Sequence, residues 1–321
     1  MRSLVIVLCL WSLNLSAQDT QTVLDDIVFH SDYEKEQLHR FFIQKESNHL
    51  ELFVASDPSG NSSLSLSLSE KIDGILNENL RSKLNKKSNE KKVKTLYSTI
   101  HEGLLDKYIA ENYFSNLIES GSYNCVTATA LYALAFEKLN IPYVLKEKPT
   151  HVYALAYPST DQILVETTDP VGGFVSFNER FKTIYVEQMT KAKIIGSQER
   201  NSESIESLFD AYYFKDTDLS IRELIGVQYM NQGIYAMNNL SHSDALAYFE
   251  KAYLFYPNKN IGSVLLNARL QKLAADSTSP DDAIILSKLE AQKGLGVTNE
   301  MILNEFHRGM YNLLTENSDT Y

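Results

Sequence analysis

The sequence predicts an α+β protein: a helix packed on a small antiparallel sheet, followed by an all-helical segment. Three stretches carry that expectation. Val126, Ala130, Leu131, Leu134, Ala135 and Leu139 recur at the helical period. Residues 150–157 and 162–167 alternate in the manner of strands and flank a turn. From Leu219 onward a helical period resumes and runs to the C-terminus. Periods near 3.6 and 2 distinguish the two kinds of element.

The first helix has clear ends. Asn124 is a preferred N-cap residue, which puts Cys125 at the first helical position. Ile141-Pro142 stops the helix, because the residue before a proline avoids the α region. Ala128, Ala130 and Ala133 leave room for a close neighbour.

The strand pair reads as a hairpin, with Thr150–Tyr157 and Gln162–Thr167 around Pro158-Ser159-Thr160-Asp161. An even loop sets Tyr157 opposite Gln162 and Leu155 opposite Leu164. Glu166 then faces Tyr153 and lies diagonal to His151, within reach of a longer side chain. A one-residue slip reverses every side chain and brings Asp169 to the face of His151 instead.

Residues 18–94 read as a helical lead-in. Tyr33–Ile43 is a short helix, His49–Val54 a strand and Asp57–Ser62 a loop. Leu64, Leu66 and Leu68 alternate with serines before the helical period returns at Ile72, Ile75 and Leu80. Between Arg81 and Lys94 seven basic residues stand against Glu90 alone, and no aromatic side chain is interleaved to stack on bases. This run reads as a solvated junction between helices. Thr95–Ile118 is an amphipathic helix with a break near Asn112, and residues 197–204 are polar enough for a linker. The organisation expected is therefore a signal peptide over 1–17, a lead-in over 18–94, an α+β domain over 95–200 and a helical region over 219–321.

The N-terminus has the features of a secretory signal: Arg2, an apolar run from Leu4 to Leu13, and Ala17 before a polar sequence. The apolar run is shorter than the ~20 residues of a spanning helix, so no integral membrane segment is expected after cleavage. An exported location follows. The formal charge of −11 becomes −12 once Arg2 is removed, which disfavours nucleic acid as a partner. Neither a cysteine pair nor a close histidine pair suggests a metal, and no glycine-rich phosphate loop follows a strand. No cofactor is expected.

Cleavage also removes Cys9 and leaves Cys125 alone. A single thiol in an oxidising compartment is either buried and inert or kept for its reactivity. At the start of a helix, the dipole and the unsatisfied backbone N–H groups favour the thiolate, the nucleophilic form. A histidine and a carboxylate follow in the chain, so Cys125, His151 and Glu166 or Asp169 are the parts of a Cys-His-acid unit. Backbone N–H of Cys125 is a natural oxyanion donor, with Tyr123, Asn124 and Asn112 as candidates for a second. The plainer alternative is that a lone cysteine on an apolar helix is a small core residue.

Asn124-Cys125, Leu139-Asn140-Ile141-Pro142, His151-Val152-Tyr153 and Val165-Glu166-Thr167-Thr168 together resemble the transglutaminase-like superfamily, relatives of the papain-type thiol hydrolases. The resemblance covers roughly residues 95–175. It implies that Cys125 is the nucleophile, His151 the base, and Glu166 the counterpart of the family's aspartate. Three positions depart from the family pattern: Glu166-Thr167 replaces aspartate-proline, Asn140 replaces a glycine, and Tyr153 is the aromatic after the histidine. Glutamate can also orient an imidazole, and Asp169 stays open as the alternative acid.

Further on, Gly233, Ala245, Phe249, Ala252 and Pro257 match the small, aromatic and proline positions of a tetratricopeptide repeat over residues 226–258. A second, weaker repeat includes Ala283, Leu286 and Leu289. Such units usually need about three neighbours to stand alone, so this one is expected to lean on the first domain or on non-repeat helices after Ala274. Its resemblance implies either a surface for a protein partner or a helical cap.

The leading functional expectation is an exported cysteine-dependent hydrolase or acyltransferase acting on a peptide or amide. The rival is an inactive transglutaminase-like fold that serves, with its repeat, as a protein-binding scaffold.

Overall fold

The computed structural model describes residues 24–275 apart from 26, 47, 170–172 and 176, together with scattered positions between 284 and 311. The expected signal segment with Cys9, and the second repeat at Ala283, Leu286 and Leu289, lie outside the described residues.

Among the described residues the lead-in holds helices and no strand. Helix α1 (Asp32–His39) is capped by Ser31 and continues as a π-helical turn to Gln44, where Lys45 enters the left-handed region and ends it. Next come α2 (His49–Ala55), α3 (Ser62–Ile75), α4 (Glu78–Asn85) and α5 (Asn89–Leu104). Two expectations are corrected here. Residues 49–54 form helix α2 rather than a strand: Asn48 caps it, and Leu50, Phe53 and Val54 are buried at helical spacing. The leucine–serine alternation also lies in a helix, since Leu64, Leu68 and Ile72 satisfy a four-residue period and Leu66 is left exposed.

The helix expected over 95–118 begins earlier and stops at Leu104. Strand β1 (Lys107–Tyr108) follows, pairing in parallel with β2 (Ser122–Tyr123) across the short helix α6 (Asn116–Glu119). Gly121 makes the return possible. Its φ is +67°, and a Cβ there would sit 2.9 Å from the Cβ of Asp106.

Helix α7 (Cys125–Leu139) leads into β3 (Tyr143–Lys148), β4 (His151–Ala156), β5 (Ile163–Val165) and β6 (Phe174–Val175). Helices α8 (Glu179–Lys191), α9 (Ser197–Ser202) and α10 (Ile205–Tyr213) come next, then β7 (Thr217–Leu219). The polar stretch over 197–204 thus holds a short helix, and Leu219 ends a strand instead of opening a helix. That strand completes a five-stranded antiparallel sheet of order β6-β5-β4-β3-β7, so the sheet extends well past residue 200. Strands β4 and β5 pair Ala154 with Val165, Leu155 with Leu164 and Ala156 with Ile163, the register of the even loop.

The two faces of β4 serve different cores. Val152, Ala154 and Ala156 pack with α7 in the main cluster, and Leu155 joins Phe177, Val186, Phe209 and Phe214. The main cluster runs without a break from Leu38 and Phe53 of the lead-in through α7 to Tyr229 and Phe255.

The C-terminal part holds α11 (Ile221–Asn238), α12 (His242–Phe255) and α13 (Lys259–Ala275). Helices α11 and α12 meet at Gly233, where a Cβ would come 2.5 Å from the ring of Phe249. The small and aromatic residues singled out in the sequence therefore touch each other. This pair is tied to the lead-in by a fully buried ion pair. Lys251 Nζ lies 2.7 Å from Glu34 Oε1, to which Tyr229 donates its hydroxyl at 3.0 Å.

Candidate active site

Asn124 caps α7 as the sequence predicts, and Cys125 is its first residue. The Asn124 side chain accepts from Thr127 N at 2.9 Å, and Thr127 Oγ1 accepts from Asn124 N at 2.9 Å. This reciprocal box fixes the first turn. Among the described residues, the backbone N–H groups of Cys125 and Val126 have no hydrogen-bond partner. They are the unsatisfied donors of a helix start, adjacent to a partly exposed sulfur.

His151 opens β4, and Glu166 stands one residue beyond β5. The observed register, continued by one pair, places Glu166 opposite Tyr153 and diagonal to His151. Imidazole Nε2 lies 2.7 Å and 2.8 Å from the two Glu166 oxygens. Glu166 is itself held by the Thr168 hydroxyl, which donates at 2.9 Å. With Nε2 occupied, Nδ1 is the nitrogen left for the thiol.

The electrostatics follow from these contacts. The hydrogen bond with Cys125 first, and that with Glu166 second, raise the His151 pKa to about 9 against the opposing effect of burial. Burial pushes the Glu166 carboxyl up, but the His151 hydrogen bond, the imidazolium charge and Thr168 outweigh it and leave the group below its ordinary range.

A pH dependence of stability follows. The folded pKa of His151 lies above its unfolded value of 6.5. Its stabilising contribution is therefore complete below 6.5 and is lost as pH rises through about 9. Urea unfolding of wild type and His151→Gln at pH 6 and pH 10 measures it: the stability gap between them is expected to shrink at pH 10. A gap that does not change with pH would rule this out.

The sequence does not single out the residue that joins the two halves of the site. Thr129, one turn after Cys125, places its hydroxyl 3.2 Å from the Val152 carbonyl and 3.0 Å from the Thr167 hydroxyl. The cysteine helix, the histidine strand and the turn bearing Glu166 are thereby fastened at one buried point. A second threonine one turn after the cysteine, beyond the one used in the cap and on a buried face, is the signal that marks it. Tyr97 backs the same turn, its hydroxyl reaching the carbonyls of Glu166 (3.1 Å) and Asp169. Buried His101 lies behind it, with Nδ1 2.6 Å from the Tyr132 hydroxyl, and desolvation lowers its pKa.

The remaining candidates separate. Asp169 is exposed, and its backbone carbonyl is turned to Tyr97 while both Glu166 oxygens take the imidazole. Asn112 is fully buried, and its amide donates to Ser122 O at 3.0 Å, Tyr113 O at 3.2 Å and Thr127 Oγ1 at 3.4 Å. The Asn124 amide donates to Ala110 O at 3.1 Å and the Tyr235 hydroxyl at 3.2 Å. Neither asparagine has a donor left for an oxyanion. The Tyr123 hydroxyl has no hydrogen-bond partner among the described residues, and its ring stands edge-on to Tyr108 at 6.0 Å.

No group of metal-ligating side chains forms among the described residues, and no described helix is long and apolar enough to cross a membrane. The chain matches no family model, no curated protein and no solved structure.

Proposed function

We propose that the protein is an exported cysteine-dependent hydrolase or acyltransferase acting on a peptide or amide, on a transglutaminase-like scaffold with a tetratricopeptide-like cap. One observation carries the reading. An imidazole bound by both oxygens of Glu166 also feels the Cys125 thiol, the largest cause of its raised pKa, at the start of a capped helix.

The chemistry follows from these parts. His151 Nδ1 takes the thiol proton, and Glu166 on Nε2 fixes the tautomer and steadies the imidazolium. An imidazole whose conjugate acid is held near 9 is a stronger base than a free one. Thiolate sulfur attacks the carbonyl carbon, and the C=O electron pair moves onto oxygen. The free N–H groups of Cys125 and Val126 are placed to bind that oxyanion, and the Tyr123 hydroxyl is the candidate for a further donor. Collapse breaks the C–N bond, and the imidazolium proton leaves with the amine. Water or a second amine then attacks the thioester, gives its proton to His151, and the thiol is restored.

The scaffold reading keeps the same fold with an unreactive thiol, and one experiment separates the two. Iodoacetamide labelling at pH 6 is expected to modify Cys125 at least tenfold faster than free cysteine, which is mostly protonated there. His151→Ala is expected to abolish that advantage. Labelling of wild type as slow as free cysteine and indifferent to His151 favours the scaffold.

A further inference from the structure

Helix α11 belongs to the C-terminal helical part, yet its last turns reach the start of the cysteine helix. The Tyr235 hydroxyl donates to Ala110 O at 2.9 Å and accepts from Asn124 Nδ2 at 3.2 Å. The second Asn124 amide proton goes to the same Ala110 carbonyl at 3.1 Å. Asn124 is the N-cap of α7, so all of its amide hydrogen bonds are accounted for: Oδ1 to Thr127 N, and both protons to this small ring of contacts. Asn238, one turn further along α11, donates to Glu111 Oε1 at 3.2 Å and grips the same loop. Tyr113 from that loop stands edge-on to Tyr235 at 6.1 Å.

We propose that Tyr235 is a positioning residue for the nucleophile: it holds the amide of Asn124 in the one orientation that caps α7 and presents Cys125 to His151. An asparagine amide is nearly symmetric in shape, and only its partners tell oxygen from nitrogen. Thr127 N–H demands an acceptor on one side. Tyr235 and Ala110 supply acceptors on the other. Without the phenol oxygen, one amide proton is left buried and unpaired, and the cap gains freedom to turn. The C-terminal helices thereby become part of the reactive centre, which the α+β domain alone does not complete. This inference rests on the reading of Cys125 as the nucleophile.

Tyr235→Phe tests it, with Tyr229→Phe as the control. The control makes the same change on the same helix and also loses a buried hydrogen bond, but one made to Glu34. Tyr235→Phe is expected to slow iodoacetamide labelling of Cys125 at pH 6 about tenfold, as small misplacements of reacting groups do. Its rate–pH curve is expected to move to higher pH, and the Thr127 amide to exchange hydrogen faster. Tyr229→Phe is expected to lower the melting temperature and leave the curve and the exchange unchanged. A Tyr235→Phe protein with the wild-type curve and wild-type Thr127 exchange overturns the proposal. Should wild-type Cys125 itself label slowly and independently of His151, the enzymatic reading falls, and Thr127 exchange alone then decides whether Tyr235 holds the cap.

Discussion

Lys251→Met is expected to melt roughly 10 °C below wild type. Lys251 and Glu34 are 0 % and 1 % exposed, and their charges lie 2.7 Å apart. Water solvates neither, so each charge depends on the other and on the groups around them. Glu34 also accepts the Tyr229 hydroxyl and the His30 backbone N–H, the latter at 2.7 Å. The Lys251 ammonium lies over the rings of Tyr229 and Tyr248, at 5.4 Å and 5.0 Å from their centroids. Methionine fills most of the lysine volume, so little cavity forms. It leaves a buried carboxylate without its cation, a loss worth about 3–5 kcal/mol. Thermal unfolding of Lys251→Met, Glu34→Gln and the double variant decides the cause. The double variant is expected to recover at least half of the loss, because no unpaired charge remains. Equal melting of single and double variants would show that packing, and not charge, holds the lead-in to α12.

The second large effect concerns the third member of the site. Glu166→Ala is expected to slow pH 6 labelling of Cys125 about a hundredfold, in line with the cost of losing the group that orients a catalytic imidazole. Asp169→Ala is expected to stay within about twofold of wild type, since it keeps the backbone carbonyl that Tyr97 holds. Both variants retain Cys125 and His151, so the difference reads the carboxylate alone. The opposite ranking would place Asp169 in the site and discard the observed register as its determinant.

That register is favoured by the sequence but not decided by it, since a one-residue slip leaves Asp169 open. Alternation in two short segments and a loop of even length are local features, and together they put Glu166 on the face of His151. Asn124 and Cys125 were legible for the same reason, because caps are chosen within four residues. What escaped was decided at a distance. Residues 49–54 are apolar enough for a strand, and burial on both α1 and α3 decides for a helix. Leu219 has no local mark of an edge strand; it becomes one by pairing with Leu145. Thr129 matters only because Val152 and Thr167 arrive beside it.

Strand β7 has one more consequence, and it concerns timing. Its partner β3 precedes it by some seventy residues, so the sheet that carries His151 remains open along one edge until residues 217–219 have been synthesised. Tyr235 follows later still. Contacts of such sequence separation form late in folding, after their loop entropy has been overcome. A chain emerging from its N-terminus thus carries Cys125 early, and the edge strand and the cap contact of Tyr235 late. The sheet that carries His151 is thus closed only when most of the polypeptide is complete.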